Sequence, residues 1–288
     1  MRGGLTREKK KKLRSWLFLA PSLLGVLLFF VAPFFVVIWY SMVNNPVQHE
    51  FVGFTNYFRV AANEAHRLAV FNTIRFSLTA VPLAVLLSLT VAVIMEASIP
   101  YKSFFRSCLL SPMMVPVASI VLIWQVLFHY NGLVNELLGI RLDWLKSNHA
   151  QVVIVLLFLW KNLGYNMILF MSALASVPKD LIEVARIEGA GRGRVFFQIK
   201  LRYLSATILF VTIMSVLNSF KVFRETYLMT GEYPFDALYL LQHFMNNTFI
   251  SLDYQKLSAA AVMMSLLIVV LVGALFIVED RFGRDIDE

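Results

Sequence analysis

Six stretches of this chain, about residues 16–42, 70–95, 104–128, 150–175, 203–223 and 257–278, are almost continuously apolar. An α-helix needs about 20 such residues to cross a hydrocarbon core about 30 Å thick. Inside that core every backbone amide must find a partner within the protein, so only helices and closed barrels can span it. A barrel would show alternating segments of about ten residues rather than long unbroken runs. The sequence therefore predicts an all-α integral membrane protein with six transmembrane helices.

Charge gives the orientation. Only 15% of the 288 residues are charged, and the net charge is +8. In a soluble protein that excess would point to nucleic acid. In a membrane protein Lys and Arg gather on the cytoplasmic side, so no nucleic-acid partner is expected. Seven basic residues precede Ser15. Holding them inside places both termini in the cytoplasm. The inside segments then carry seventeen of the 26 Lys and Arg residues, an asymmetry that losing one span would reverse. The first apolar run is too long for the h-region of a signal peptide, so it reads as a retained helix. The expected organisation is a basic tail over 1–15, a first transmembrane helix and outer loop over 16–69, a five-helix core over 70–280, and a cytoplasmic tail over 281–288. Cys108 is the only cysteine; within an apolar run it is expected to be a buried, inert thiol. No Cys/His group has metal-ligand spacing.

One inside segment, residues 176–202, is longer and more ordered than a connection requires. Pro178 suits a first helical turn, and Ser176 is a candidate cap. From Lys179 to Glu188 the pattern is amphipathic: Leu181, Val184 and Ala185 share one face, and Lys179, Glu183 and Arg186 another. Gly189 and Gly191 can end the helix in a left-handed conformation. A second helical run, Val195 to Leu201, leads into the fifth span. Such a helix can float on lipid headgroups or dock on a protein. Small side chains at Val184, Ala185 and Ala190 suit close approach to a protein surface.

Glu183-Val184-Ala185, Glu188-Gly189-Ala190 and Ile199-Lys200-Leu201 resemble the Glu-Ala-Ala signature of the membrane-spanning subunits of binding-protein-dependent ABC importers. The family has a proline where Arg202 stands here. "SVPKDLIEVARIEGAG", "FNTIRFSL", "LLSPMMVP" and "YLMTGEYP" look like its carbohydrate-uptake branch, and specifically like the first permease subunit of maltose- and glycerol-phosphate-type importers. The resemblance implies a type I importer permease fold in a bacterial cell membrane. It implies a coupling helix at about 178–190, in which Glu183, Ala185, Glu188, Gly189 and Ala190 meet a cytoplasmic ATPase. It also implies a second homologous permease subunit, two ATPase subunits and an extracytoplasmic solute-binding protein. No G-x-x-x-x-G-K-[ST] phosphate loop occurs, so the chain is expected to be non-enzymatic, with no cofactor of its own and with ATP and Mg on its partners.

Polar residues within spans default to functional candidates. Ser215, Asn218, Ser219 and Val222 form one helical stripe in the fifth span. In the fourth, Lys161 lies near mid-bilayer, with Asn162 beside it. The resembling region of sugar permeases lines a pocket around the equivalents of Gly164, Tyr165 and Met167. These residues are the candidate solute pathway, and helix–helix hydrogen bonding or ion pairing is the competing explanation. Lys221 and Arg224 are expected to mark the outer end of the fifth span. The rival reading, a stand-alone secondary transporter, calls for acidic residues inside spans, and none is expected near a midplane. A membrane-anchored scaffold would not need the polar stripe.

Overall fold

The computed structural model describes residues 7–45, 47–96 and 100–283. Arg2, one of the seven basic residues of the tail, and the end of the C-terminal tail lie outside them. The described residues are helical throughout, apart from loops and an isolated antiparallel bridge between Val43 and Phe51. In chain order the helices are α1 (Arg7–Val26), α2 (Ala32–Ser41), α3 (Thr55–Ala62), α4 (Glu64–Glu96), α5 (Lys102–Met114), α6 (Val117–Leu127) and α7 (Leu133–Leu138). They continue with α8 (Ala150–Ala175), α9 (Lys179–Ile187), α10 (Arg192–Arg194), α11 (Leu201–Tyr203), α12 (Ser205–Lys221), α13 (Phe223–Thr230), α14 (Leu241–Ile250) and α15 (Tyr254–Gly283).

The chain divides into two compact units, Met1–Ala62 with Thr248–Ser265, and Asn63–Asn247 with Leu266–Glu288. In the first, α1 and α2 are joined by a π-helical turn, Leu27–Val31. Pro33, in the first turn of α2, explains it: the ring has no N–H and crowds the carbonyl one turn back, and widening the helix relieves both. Below α2 the chain turns back through the Val43–Phe51 bridge. The Asn56 amide secures that turn by donating to the carbonyls of Ser41 and Val43 at 3.0 and 2.9 Å.

In the second unit α4, α8 and α12 pack side by side, with α5 against α8. Ala80, Ala84, Ile120, Val153, Leu157 and Phe158 are among its buried core. Gly164 sets one helix spacing. A Cβ there would fall 2.0 Å from the Leu109 carbonyl oxygen of α5, so the α5 and α8 backbones touch where only glycine fits.

Five helices among the described residues are long and apolar enough to cross a membrane: Phe18–Ser41, Glu64–Glu96, Ala150–Ala175, Ser205–Thr230 and Tyr254–Asp280. The expected third span is not one helix. α5 and α6 meet at a 99° bend. Pro116 forces it: the residue before a proline is pushed out of the helical region, and Val115 is extended with φ −78° and ψ 134°. The fifth span runs on to Thr230, so Lys221 and Arg224 lie within its helical course and not at its end. Cys108 is exposed on α5, not buried.

Candidate functional site

The cytoplasmic candidate is α9 and its exit. Pro178 stands at the N-cap position, and Ser176 instead ends α8, its hydroxyl donating to Ala173 O at 2.7 Å. At the far end Gly189 takes φ +83°. Its N–H donates to Arg186 O at 3.0 Å, and the Ala190 N–H donates to Ala185 O at 2.8 Å. This is a Schellman stop, which requires the left-handed conformation that glycine adopts without penalty. Gly191 is extended and does not share that role. The expected second run spans Arg192 to Tyr203, with a π-helical turn over Val195–Lys200 at its centre.

No residue of α9 is buried. Its apolar side chains Leu181, Val184 and Ile187 remain 42%, 53% and 86% exposed. Leu181, Val184, Ala185 and Glu188 form one side of an open groove whose other side includes Ile199 and Arg202. Arg202, at the proline position of the signature, therefore faces α9 across this groove. The Lys200 ammonium reaches both carboxylate oxygens of Glu96 at 2.6 Å, which ties the second run to the end of α4.

Within the membrane-spanning bundle a cavity of about 350 Å³ opens between α8 and α12–α13. Lys161, Asn162, Tyr165, Asn218 and Val222 line it. Asn218 donates to the Asn162 side-chain oxygen at 3.1 Å, and Asn162 donates to Phe158 O at 2.8 Å. The remaining candidates lie elsewhere. Gly164 is at the α5 crossing, and Met167 is fully buried. Ser215 accepts from the Asn166 amide at 3.1 Å, and Ser219 and Ser77 hydroxyls meet at 2.7 Å. The predicted stripe therefore splits: the serines join helices, while Asn218 and Val222 face the cavity.

Glu225 was not expected. It is 5% exposed, lines the same cavity and forms an ion pair with Lys161. An acidic residue is thus buried within the helical course of the fifth span, beyond the point at which that span was expected to end. Its signal was present: Asn218, Val222 and Glu225 continue one helical face at i, i+4 and i+7. Placing the span's end at residue 223 hid it. Two buried asparagines were also missed. Asn72 donates to Asp236 O and Tyr239 O at 2.6 and 3.1 Å. Asn135 donates to Tyr130 O and Leu142 O, both at 2.8 Å, and accepts from the Trp144 indole at 2.7 Å.

The sequence matches one known family over most of its length. Residues 80–287 match the binding-protein-dependent transport system inner membrane component. The chain belongs to that family. It is a multi-pass inner-membrane permease component, not an enzyme. The sn-glycerol-3-phosphate transport system permease protein UgpA of Escherichia coli O6:K15:H31 is 30% identical over 266 residues, covering 89% of this chain and 90% of the relative. UgpA of Pectobacterium atrosepticum is 28% identical over 284 residues, covering 93% and 94%. Among solved structures, a bacterial ABC transporter involved in the import of the acidic polysaccharide alginate has a chain that superimposes with TM-score 0.80 at 18% identity, over 98% of this chain and 100% of its own length. The alginate transporter in complex with its pentasaccharide-bound periplasmic protein gives TM-score 0.82 at 16% identity, over 96% and 97%. These two likenesses establish the fold of an ABC importer permease.

Proposed function

We propose that this permease moves a sugar, oligosaccharide or related polyol inward, driven by ATP that separate subunits hydrolyse. It pairs with a second homologous permease, and the two form the pore. Two ATPases carry ATP and Mg on the cytoplasmic side, where both termini lie. A solute-binding protein delivers cargo to the outer loops. The solute class rests on its relatives: UgpA serves a phosphorylated polyol, and the similar solved transporter imports a polysaccharide.

The observation that carries the coupling role is α9. Exposed Leu181, Val184 and Ile187 on a helix of nine residues, stopped by a Schellman motif, make a short rigid handle with an apolar face to cover. Glu183 and Glu188 add charge at its edge, and Ala185, Gly189 and Ala190 keep the approach close. Closure of two ATPases moves two such handles as rigid bodies. The cavity residues Lys161, Asn162, Tyr165, Asn218 and Val222 form the solute path.

The test is reconstitution of the chain with its second permease, ATPase and binding protein in liposomes. Glu183→Lys and Gly189→Asp should insert normally yet separate ATP hydrolysis from uptake. Full uptake by both variants would remove the coupling assignment. Uptake driven by an ion gradient without ATPase would favour the stand-alone transporter.

A further inference from the structure

A second, larger cavity of about 690 Å³ lies beyond the ion pair, one helical turn further along α13. Val222 and Glu225 border the inner cavity, and Met229 and Thr230 border the outer one. A step of four residues advances about 6 Å along a helix. Glu225 of the Lys161–Glu225 pair thus lies about one helical turn from Met229, on the same helix, at the wall of the other cavity. We propose that the outer cavity is a saccharide-binding subsite that receives a sugar ring before it enters the inner cavity; this rests on the reading of the chain as a sugar permease.

Its surfaces have the chemistry that sugars need. Tyr130 and Tyr233 line it and are 43% and 77% exposed. Flat aromatic faces pack on the C–H faces of a pyranose and leave its hydroxyls free for polar partners. Those partners are present. The Gln125 amide N–H donates to Met229 O at 2.8 Å, which leaves its side-chain oxygen as an acceptor. Asp143 accepts from the Lys146 backbone N–H through one oxygen at 3.3 Å, leaving the other. A cavity with aromatic walls and a few convergent polar groups is the usual form of a small-molecule site.

The walls are also fixed in place. Buried Asn135 locks the loop that carries Tyr130 and Asp143 by hydrogen-bonding Tyr130 O, Leu142 O and the Trp144 indole. Buried Asn72 locks the facing loop at Asp236 and Tyr239. Trp124 stacks on Phe128 with centroids 5.1 Å apart, and Phe128 meets Trp144 edge-on at 5.7 Å. A preformed site spends little binding free energy on ordering itself.

The experiment is saturation-transfer NMR on the intact chain in phosphatidylcholine nanodiscs, with maltotriose and a trimer of uronic acids as probes. The expected result is saturable transfer to one or both. Tyr233→Ala and Asp143→Ala should each weaken it roughly tenfold, the equivalent of about 1.4 kcal/mol. Tyr233→Trp should retain it. Tyr233 is exposed, so its truncation does not threaten folding. No saturable transfer from either probe overturns the subsite, as does transfer indifferent to Tyr233 and Asp143. Transfer lost only in Asn218→Ala overturns the subsite while leaving the sugar-permease reading intact. Transfer that behaves as expected, in a chain that reconstitution finds uncoupled from any ATPase, supports the subsite and removes the ATP-driven reading instead.

Discussion

The Lys161–Glu225 pair allows the sharpest prediction about this bundle. Removing one partner of a buried pair strands the other charge and costs about 3–5 kcal/mol. The two sides are not equivalent. The Glu225 side chain is 6% exposed, whereas that of Lys161 is 27% exposed into the cavity. A stranded Lys161 can draw on cavity water; a stranded Glu225 has almost none. Lys161→Met should therefore be the worse change, toward 5 kcal/mol, and Glu225→Gln the milder, at or below 3 kcal/mol. Even the smaller figure is about a hundredfold in an unfolding equilibrium. Lys161→Met combined with Glu225→Leu leaves no orphan charge and should return close to the wild-type value. Tryptophan fluorescence during denaturant unfolding in detergent micelles reads all four proteins. Equal stability of the single variants and wild type would refute the buried pair. A double variant as unstable as Lys161→Met would refute the argument from stranded charge.

Other expectations follow from local geometry. Gly164→Ala sets a methyl 2.0 Å from Leu109 O, where only backbone can yield. It should cost about 3 kcal/mol, at the upper end of overpacking, and appear as a lowered thermal midpoint. Gly189→Val strains the φ +83° stop and should reduce coupled uptake, whereas Gly189→Asn, which tolerates the left-handed region, should keep most of it. Burial pushes His243 down to about 4 from 6.5, and its ring lies against Phe223, Tyr227 and Tyr239. The neutral ring is favoured in the fold, so this stability is complete above pH 6.5 and is lost as pH falls toward 4, by about 3 kcal/mol. The wild type minus His243→Phe difference in thermal midpoint should shrink across that window, and a constant difference would count against the argument.

What the sequence made legible was whatever depended on local periodicity. The apolar runs, the amphipathic face of α9 and the left-handed Gly189 follow from residues within a turn or two of each other. The elbow at Pro116 was written in the sequence too, since a proline restricts the residue before it, but the hydrophobic run concealed it. Pairings between distant elements were not legible. Nothing near Lys161 in sequence identifies Glu225, and Asn72 reveals its purpose only once residues 236 and 239 are beside it. Ser215 and Asn218 share a stripe, yet three residues leave their side chains about 60° apart around the helix, which suffices to send one to a neighbouring helix and the other to the cavity.

The close contact at Gly164 restricts how this permease can change shape. With a backbone carbonyl of α5 against α8, the two helices cannot slide past one another without steric collision. They must travel as one body. Any relative movement is then handed to the extended link at Val115–Pro116, and α6 becomes the lever arm of a two-piece joint. On this account, a disulfide that welds α5 to α8 should leave the transport cycle untouched, while one that welds α5 to α6 should arrest it.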